Sequence, residues 1–247
     1  NSGFAELVMN VTFRVDASLI MGSGHMIRCL TLATHLRQLG ADCCFVCGDN
    51  PGNMAGRIRE LGFELNLLKA DEHANQRMSD EANSEPPHAN WLSVDWRSDA
   101  NQTISAIGGR RIDWLIVDHY GIGHKWESLL RRHCDRLMVI DDLADRHHDC
   151  DLLLDQNLVR NFRDRYQGIV PNECILLLGP RFALLQSAFA DLRKRVPPRR
   201  GRAKRALIYF GGADADNITG LVVDAAKSLG DERIEWNVVL SSESPHL

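Results

Sequence analysis

The stretch FRVDASLIMGSGHMIRC, Phe13–Cys29, decides the fold. Val11 and the first residues of the stretch alternate or run apolar, as a buried β-strand does. Gly22, Ser23 and Gly24 make a flexible turn, and a helix follows to about Leu39, with Ile27, Leu30, Leu32, Ala33 and Leu36 near helical spacing. Strand, glycine turn and helix together present unpaired backbone N–H groups and the positive end of a helix dipole, which suits a phosphate. His25 and Arg28 stand at the mouth of that helix, and a histidine there is a candidate for chemistry.

Working outward, the same pattern continues. Asp42–Cys47 reads as a strand after Gly40, Met54–Leu61 as a helix, and Phe63–Leu67 as a third strand, giving βαβαβ and a parallel sheet. Residues 70–90, polar and carrying Pro86–Pro87, read as a surface loop. A helix is predicted over Asp95–Ile107 and a buried strand over Arg111–Val117. Asp118, His119, Tyr120 and Gly121 then fall just past a strand's C-terminal end, where open α/β sheets place ligands. A helix over Trp126–Arg132 and strands over Leu137–Ile140 and Asp151–Leu154 bring Asp141, Asp142, Asp155, Gln156 and Asn157 to the same edge. Cys174–Leu178 is a last strand and Arg181–Arg195 a helix with Phe182, Leu185, Phe189 and Leu192 on one apolar face.

VPPRRGRAK, Val196–Lys204, has the proline, glycine and charge of a linker. Beyond it Ala206–Phe210, Gly211–Asn217, Ile218–Leu229 and Ile234–Leu240 repeat strand, turn, helix, strand. The expected organisation is an N-terminal Rossmann-like domain over 1–196, a linker over 197–204, and the beginning of a second such domain over 205–247. One βαβ unit is too small for a whole domain, so the second reads as incomplete.

The chain has 247 residues, with 29 Lys and Arg against 33 Asp and Glu, a formal charge of −4. That balance gives no case for nucleic-acid binding, and no apolar run is long enough to span a membrane. Residues 1–10 contain Glu6 and lack the basic start and apolar core of a signal peptide. The seven cysteines lie mostly among apolar neighbours. Cys44 and Cys47 have C-x-x-C spacing but fall within a strand, so buried free thiols and a reducing cytoplasm are expected. Asp141, Asp142, His147 and His148 have the ligand types for a divalent ion but no recognised metal spacing, and no metal or other cofactor is expected. There is neither G-x-G-x-x-G nor a G-K-[ST] phosphate loop. Two strand–turn–helix loops facing a cleft suit a nucleotide-sugar instead of NAD or ATP.

GSGHMIRC (22–29), IVDHYGI (116–122), VIDDLADRHHDCDLLLDQN (139–157), LLGPRFALL (177–185) and YFGGADADN (209–217) together resemble the UDP-sugar hydrolases of pseudaminic acid biosynthesis, over about residues 11–240. These act on UDP-2,4-diacetamido-2,4,6-trideoxy-β-L-altropyranose and are related to MurG-like glycosyltransferases of the GT-B fold. The resemblance implies a GT-B-like α/β architecture and hydrolysis at the anomeric carbon with inversion, releasing UDP and free sugar. It implies that His25 orients or deprotonates the attacking water, that Tyr120 lines the same site, and that Asp16 and Arg28 flank it. On that basis His25, Tyr120 and Asp16 are the catalytic candidates. Gly22, Ser23, Gly24, Arg28, Asp118, His119, Asp141, Asp142, Gly211, Gly212, Asp214 and Asn217 are the substrate-binding ones. The family's second domain continues past the position of Leu247, where it holds UDP. A monomer or weak homodimer is expected, with the UDP-sugar and UDP as its partners. Two alternatives share the residues. An inverting glycosyltransferase would use His25 on an acceptor hydroxyl and release little sugar without acceptor. A non-catalytic nucleotide-sugar-binding fragment would keep affinity without turnover.

Overall fold

In a computed structural model, the described residues are 8–19, 21–70, 86, 88–198, 200–211, 214, 216–230, 233–240 and 246. The elements are β1 (Asn10–Val15), α1 (Gly24–Gln38), β2 (Asp42–Gly48), α2 (Ala55–Glu60), β3 (Glu64–Leu68), α3 (Trp96–Ile107), β4 (Trp114–Asp118), α4 (His124–Leu130), β5 (Arg136–Ile140), β6 (Leu152–Asp155), β7 (Ile175–Leu178), α5 (Ser187–Arg195), β8 (Arg205–Ile208), α6 (Ile218–Leu229) and β9 (Glu235–Val238).

Strands β1–β7 form one parallel sheet in the order β3-β2-β1-β4-β5-β6-β7. Such a sheet needs both faces covered, and period-2 alternation supplies two sets of apolar side chains. Val11, Phe13, Val15, Phe45, Ile116, Met138, Ile140 and Leu154 meet Met26, Cys29, Leu30 and Ala33 of α1 and Ile58 of α2. Leu115, Val117, Leu137, Val139 and Leu153 meet Ala100 and Ile107 of α3, Trp126 and Leu130 of α4, and Tyr166. Phe13 sits in register with Phe45 on one side and Ile116 on the other, its ring stacked on Phe45 at 4.9 Å between centroids. From β1 the chain winds outward to β3, then returns to β1's other side as β4. The strand order therefore reverses between β1 and β4, which opens a crevice at their C-terminal ends.

Two local expectations change. The strand expected over Arg111–Val117 begins only at Trp114, because its ladder to β1 starts at the Val11–Trp114 pair. The helix expected over Arg181–Arg195 is broken into a short 3₁₀ turn, Pro180–Phe182, and α5. Between them the Leu184 N–H donates to Gln156 Oε1 at 2.9 Å, and Gln186 is extended at ψ 143°. Phe182 and Leu184 pack against the core, while Leu185, Phe189 and Leu192 are exposed. The strands β8 and β9 pair in parallel in a sheet of their own, with α6 between them in sequence. No described helix is long and apolar enough to cross a membrane.

Candidate functional site

The crevice is lined by the segments immediately after β1, β4 and β5. Past β1 the chain turns through Gly22, at φ +74°, a left-handed conformation that costs glycine little. It then enters α1 from Ser23 with no side-chain cap and no acidic residue in the first turn. The helix's leading N–H groups are thus left without a side-chain acceptor.

His25, on that first turn, is buried, and its Nδ1 lies 2.5 Å from Asp118 Oδ1 at the end of β4. Arg28, one turn further on, donates to the same carboxylate from Nε (2.6 Å) and Nη2 (2.7 Å). Cys29 Sγ adds a contact at 3.4 Å. Asp118 is fully buried. Burial opposes its charge, but His25 and Arg28 outweigh that and hold its pKa well below the usual carboxylate range. An ionised acceptor on Nδ1 fixes the proton there and leaves Nε2 as the basic nitrogen of the ring.

Asp142, just past β5, accepts from Arg28 Nη1 at 3.1 Å and from Asn157 Nδ2 at 3.2 Å. It also accepts a short hydrogen bond from the Tyr120 hydroxyl. Burial and Asp142 together keep that phenol protonated, its pKa pushed well up. The Tyr120 ring meets the His25 ring edge-on, with centroids 4.5 Å apart. Trp91 and His88 complete an aromatic shelf, their centroids 5.5 Å and 5.7 Å from that of Tyr120. This segment comes close because Gly121 has no side chain: a Cβ there would sit 2.7 Å from the His88 carbonyl oxygen.

Several expected contact residues lie behind this surface. Asp16 is fully buried, accepting from Arg14 Nη1 at 2.5 Å and the Gly48 N–H at 2.6 Å. His119 accepts the Gly121 N–H on Nδ1 at 2.9 Å, so its proton is on Nε2, 3.2 Å from Asp16 Oδ2. Burial lowers the pKa of His119. Asp141 is held by Arg146 at 2.8 Å and by Tyr166 at 3.1 Å. The reason is common to all: each carboxylate ends a central strand, where α-helices cover both faces, and a charge there must find a protein partner. His148 pairs with Glu127 through Nδ1 at 2.7 Å and brings Nε2 to 4.0 Å from Asp141 Oδ2, while His147 is exposed. In the second unit Asp214 accepts from the N–H groups of Ile218 (2.9 Å) and Thr219 (3.0 Å), and Asn217 from Gly220 (3.1 Å). Both side chains cap α6. Gly211 is at φ +84° in the turn before it, and Gly212 lies outside the described residues.

The residues that composition and spacing missed are Arg14, His88, Trp91 and Asp99. Arg14 pairs with Asp99 Oδ2 at 2.5 Å as well as with Asp16, and Asp99 also accepts from Trp126 Nε1 at 2.9 Å. The signal in the sequence is Arg14, a charge inside a largely apolar strand. Arg146, whose guanidinium lies 6.0 Å from the Tyr120 ring centre, also lines a cavity of about 370 Å³ with Trp96, Trp126, His124, Lys125 and His147. His25, Asp118 and Arg28 are not part of that lining, so the cavity does not contain the histidine–aspartate pair.

Asp16 and Asp118 both have pKa values lowered in the fold. Their contribution to stability is present above the unfolded carboxylate value of about 4 and is lost as pH falls below it toward the folded values. Near pH 3, unfolding should therefore take up about two protons from these groups. Urea midpoints measured from pH 6 to 2.5 should drop steeply below about pH 4; a flat profile there would contradict the buried ion pairs.

The parallel α/β sheet thus carries a buried histidine–aspartate pair at its reversal point, beside a helix N-terminus with no side-chain cap. No family model matches the chain. A UDP-2,4-diacetamido-2,4,6-trideoxy-β-L-altropyranose hydrolase from Campylobacter jejuni is 28% identical over 240 residues, covering 97% of this chain and 72% of that protein. An uncharacterised protein of Methanocaldococcus jannaschii is 25% identical over 235 residues, covering 94% of this chain and 42% of its own length. The crystal structure of a calicheamicin glycosyltransferase aligns with 91% of this chain and 43% of its own, at 16% identity and a TM-score of 0.39, a likeness too slight to add to the fold described above. The chain is a distant homologue of the Campylobacter hydrolase.

Proposed function

We propose that this protein hydrolyses a UDP-linked 2,4-diacetamido-2,4,6-trideoxy sugar, with inversion at the anomeric carbon, as a step of pseudaminic acid biosynthesis on a GT-B-like scaffold. The observation that carries the reading is the His25–Asp118 pair at the mouth of α1; the homology to the hydrolase supports the substrate.

In this mechanism Asp118 keeps the His25 proton on Nδ1, and Nε2 takes a proton from a water on the face of the sugar opposite UDP. The water oxygen bonds to the anomeric carbon as the bond to the phosphate oxygen breaks. Asp118 stabilises the imidazolium that forms, and Arg28 keeps that carboxylate ionised and aimed. UDP is a good leaving group, so no strong protein acid is needed. The uncapped N–H groups of α1 are placed to receive negative charge on the phosphate. Tyr120, with Trp91 behind it, offers an aromatic wall to the sugar ring. Asp16 and His119 act by bracing the β1 and β4 ends. In the second unit the turn at Gly211 would meet the nucleotide through its backbone, because Asp214 and Asn217 are committed to capping.

The test is an assay of the full-length protein with the UDP-sugar, following UDP release and the anomer formed by NMR. UDP and the inverted free sugar should appear without any acceptor. Turnover that requires an acceptor would replace hydrolysis with transfer, and tight binding without turnover would remove catalysis.

A further inference from the structure

Cys150 and Cys174 are both free thiols in the fold. They precede β6 and β7, neighbouring strands whose starts are pinned by the Ile175 N–H to Asp151 carbonyl bond at 2.8 Å. Their sulfurs lie 3.6 Å apart, within the same apolar cluster. Cys150 is buried and Cys174 is half-buried. The other described thiols have different partners: Cys29 contacts Asp118, Cys43 the Ala33 carbonyl, Cys44 the Thr12 hydroxyl and Cys134 the Leu130 carbonyl. Cys44 and Cys47, despite their spacing, are three apart on a strand and so point to opposite faces.

We propose that Cys150 and Cys174 form a reversible disulfide site, closed by exchange with a low-molecular-weight disulfide such as oxidised glutathione. A disulfide needs its sulfurs about 2.05 Å apart, a closure of about 1.5 Å from the present separation. The reachable thiol is Cys174. The hydrogen bond it shares with Cys150 lowers its pKa, which favours the attacking thiolate. Cys174 thiolate attacks one sulfur of oxidised glutathione and expels the first glutathione thiolate. Cys150, giving up its proton to solvent, then attacks the Cys174 sulfur and expels the second. One protein disulfide forms, two protein thiols are oxidised, two glutathione molecules are released reduced, and the two thiol protons balance the two thiolates. The pair lies at the N-terminal edge of the sheet and His25–Asp118 at the C-terminal edge. The bond therefore staples the edge strand β7 to β6 without touching the candidate site.

The experiment incubates the purified full-length protein with oxidised glutathione and maps the peptides without reduction. A Cys150–Cys174 linkage is expected, reversed by dithiothreitol, with a thermal midpoint several degrees above that of the reduced protein. Cys150→Ser should trap glutathione on Cys174, and Cys174→Ser should leave Cys150 unmodified, since it is buried. Wild-type protein that keeps glutathione on Cys174 without resolving it, or that leaves both thiols free, would overturn the proposal. The wild-type map decides even if a variant fails to fold. It does not depend on whether the protein turns over a UDP-sugar.

Discussion

Replacing His25 with Asn or Ala should lower the rate constant for sugar release by about 10²–10⁴, the usual worth of a positioned acid–base group. kcat and kcat/KM should fall together, because proton transfer to Nε2 matters in the transition state and not in the bound substrate. UDP affinity should change by less than about tenfold, or about 1.4 kcal/mol, because the backbone N–H groups of α1 survive the substitution. The hydrogen bond to Asp118 at 2.5 Å makes the effect specific. Asp118→Asn presents a neutral acceptor that no longer stabilises the imidazolium, and the double variant should be little worse than either single one, since the two act as a unit. UDP release followed by NMR, with UDP binding by calorimetry, separates the outcomes. A variant with wild-type kcat would remove His25 from the mechanism. One with intact kcat and a large loss of UDP affinity would make it a phosphate-site residue.

Arg14→Met should destabilise the fold by about 3–5 kcal/mol, the range found when one member of a buried ion pair is removed. Arg14 is 1% exposed and joins two carboxylates, Asp16 from its own strand and Asp99 from α3. Without the guanidinium both carboxylates stay in the interior with only neutral donors, the Gly48 N–H and Trp126 Nε1 among them. Methionine fills much of the same space, so lost charge, and not a cavity, would dominate the effect. Adding Asp99→Asn should recover part of the loss, because it removes one of the stranded charges. The measurement is the urea midpoint at pH 7 with the slope unchanged. A loss below about 1 kcal/mol would show that water reaches Asp16 and Asp99 and that the network is not a sealed one.

The aspartates at the strand ends illustrate how far residue type carries. Their position at the C-terminal ends of β1, β4, β5 and β6 follows from the apolar runs before them. Which of them faces the crevice does not. Asp142 reaches the rim through Tyr120 and Arg28, whereas Asp141, its chain neighbour, turns inward to Arg146 and Tyr166. Successive residues leaving a strand point opposite ways, and only the helix packed on each side decides which direction is interior. The 181–195 segment shows the same limit. Its apolar spacing is helical throughout, yet one long-range bond from the Leu184 N–H to Gln156 takes the middle of it out of the helix.

Period-2 and period-3.6 patterning in the chain by itself determined an α/β protein with a parallel sheet. The glycine turn before His25 and the polar residues at strand ends marked where the candidate site lies. Those signals are local: they depend on neighbours within a few residues, and each element must bury its own apolar face. The pairing of His25 and Arg28 with Asp118, of Arg14 with Asp99, of Trp91 with Tyr120 and of Cys150 with Cys174 was decided only by the tertiary structure. Partners 24–93 residues apart meet through the strand order, and a buried charge or thiol takes its chemistry from whatever that order brings against it.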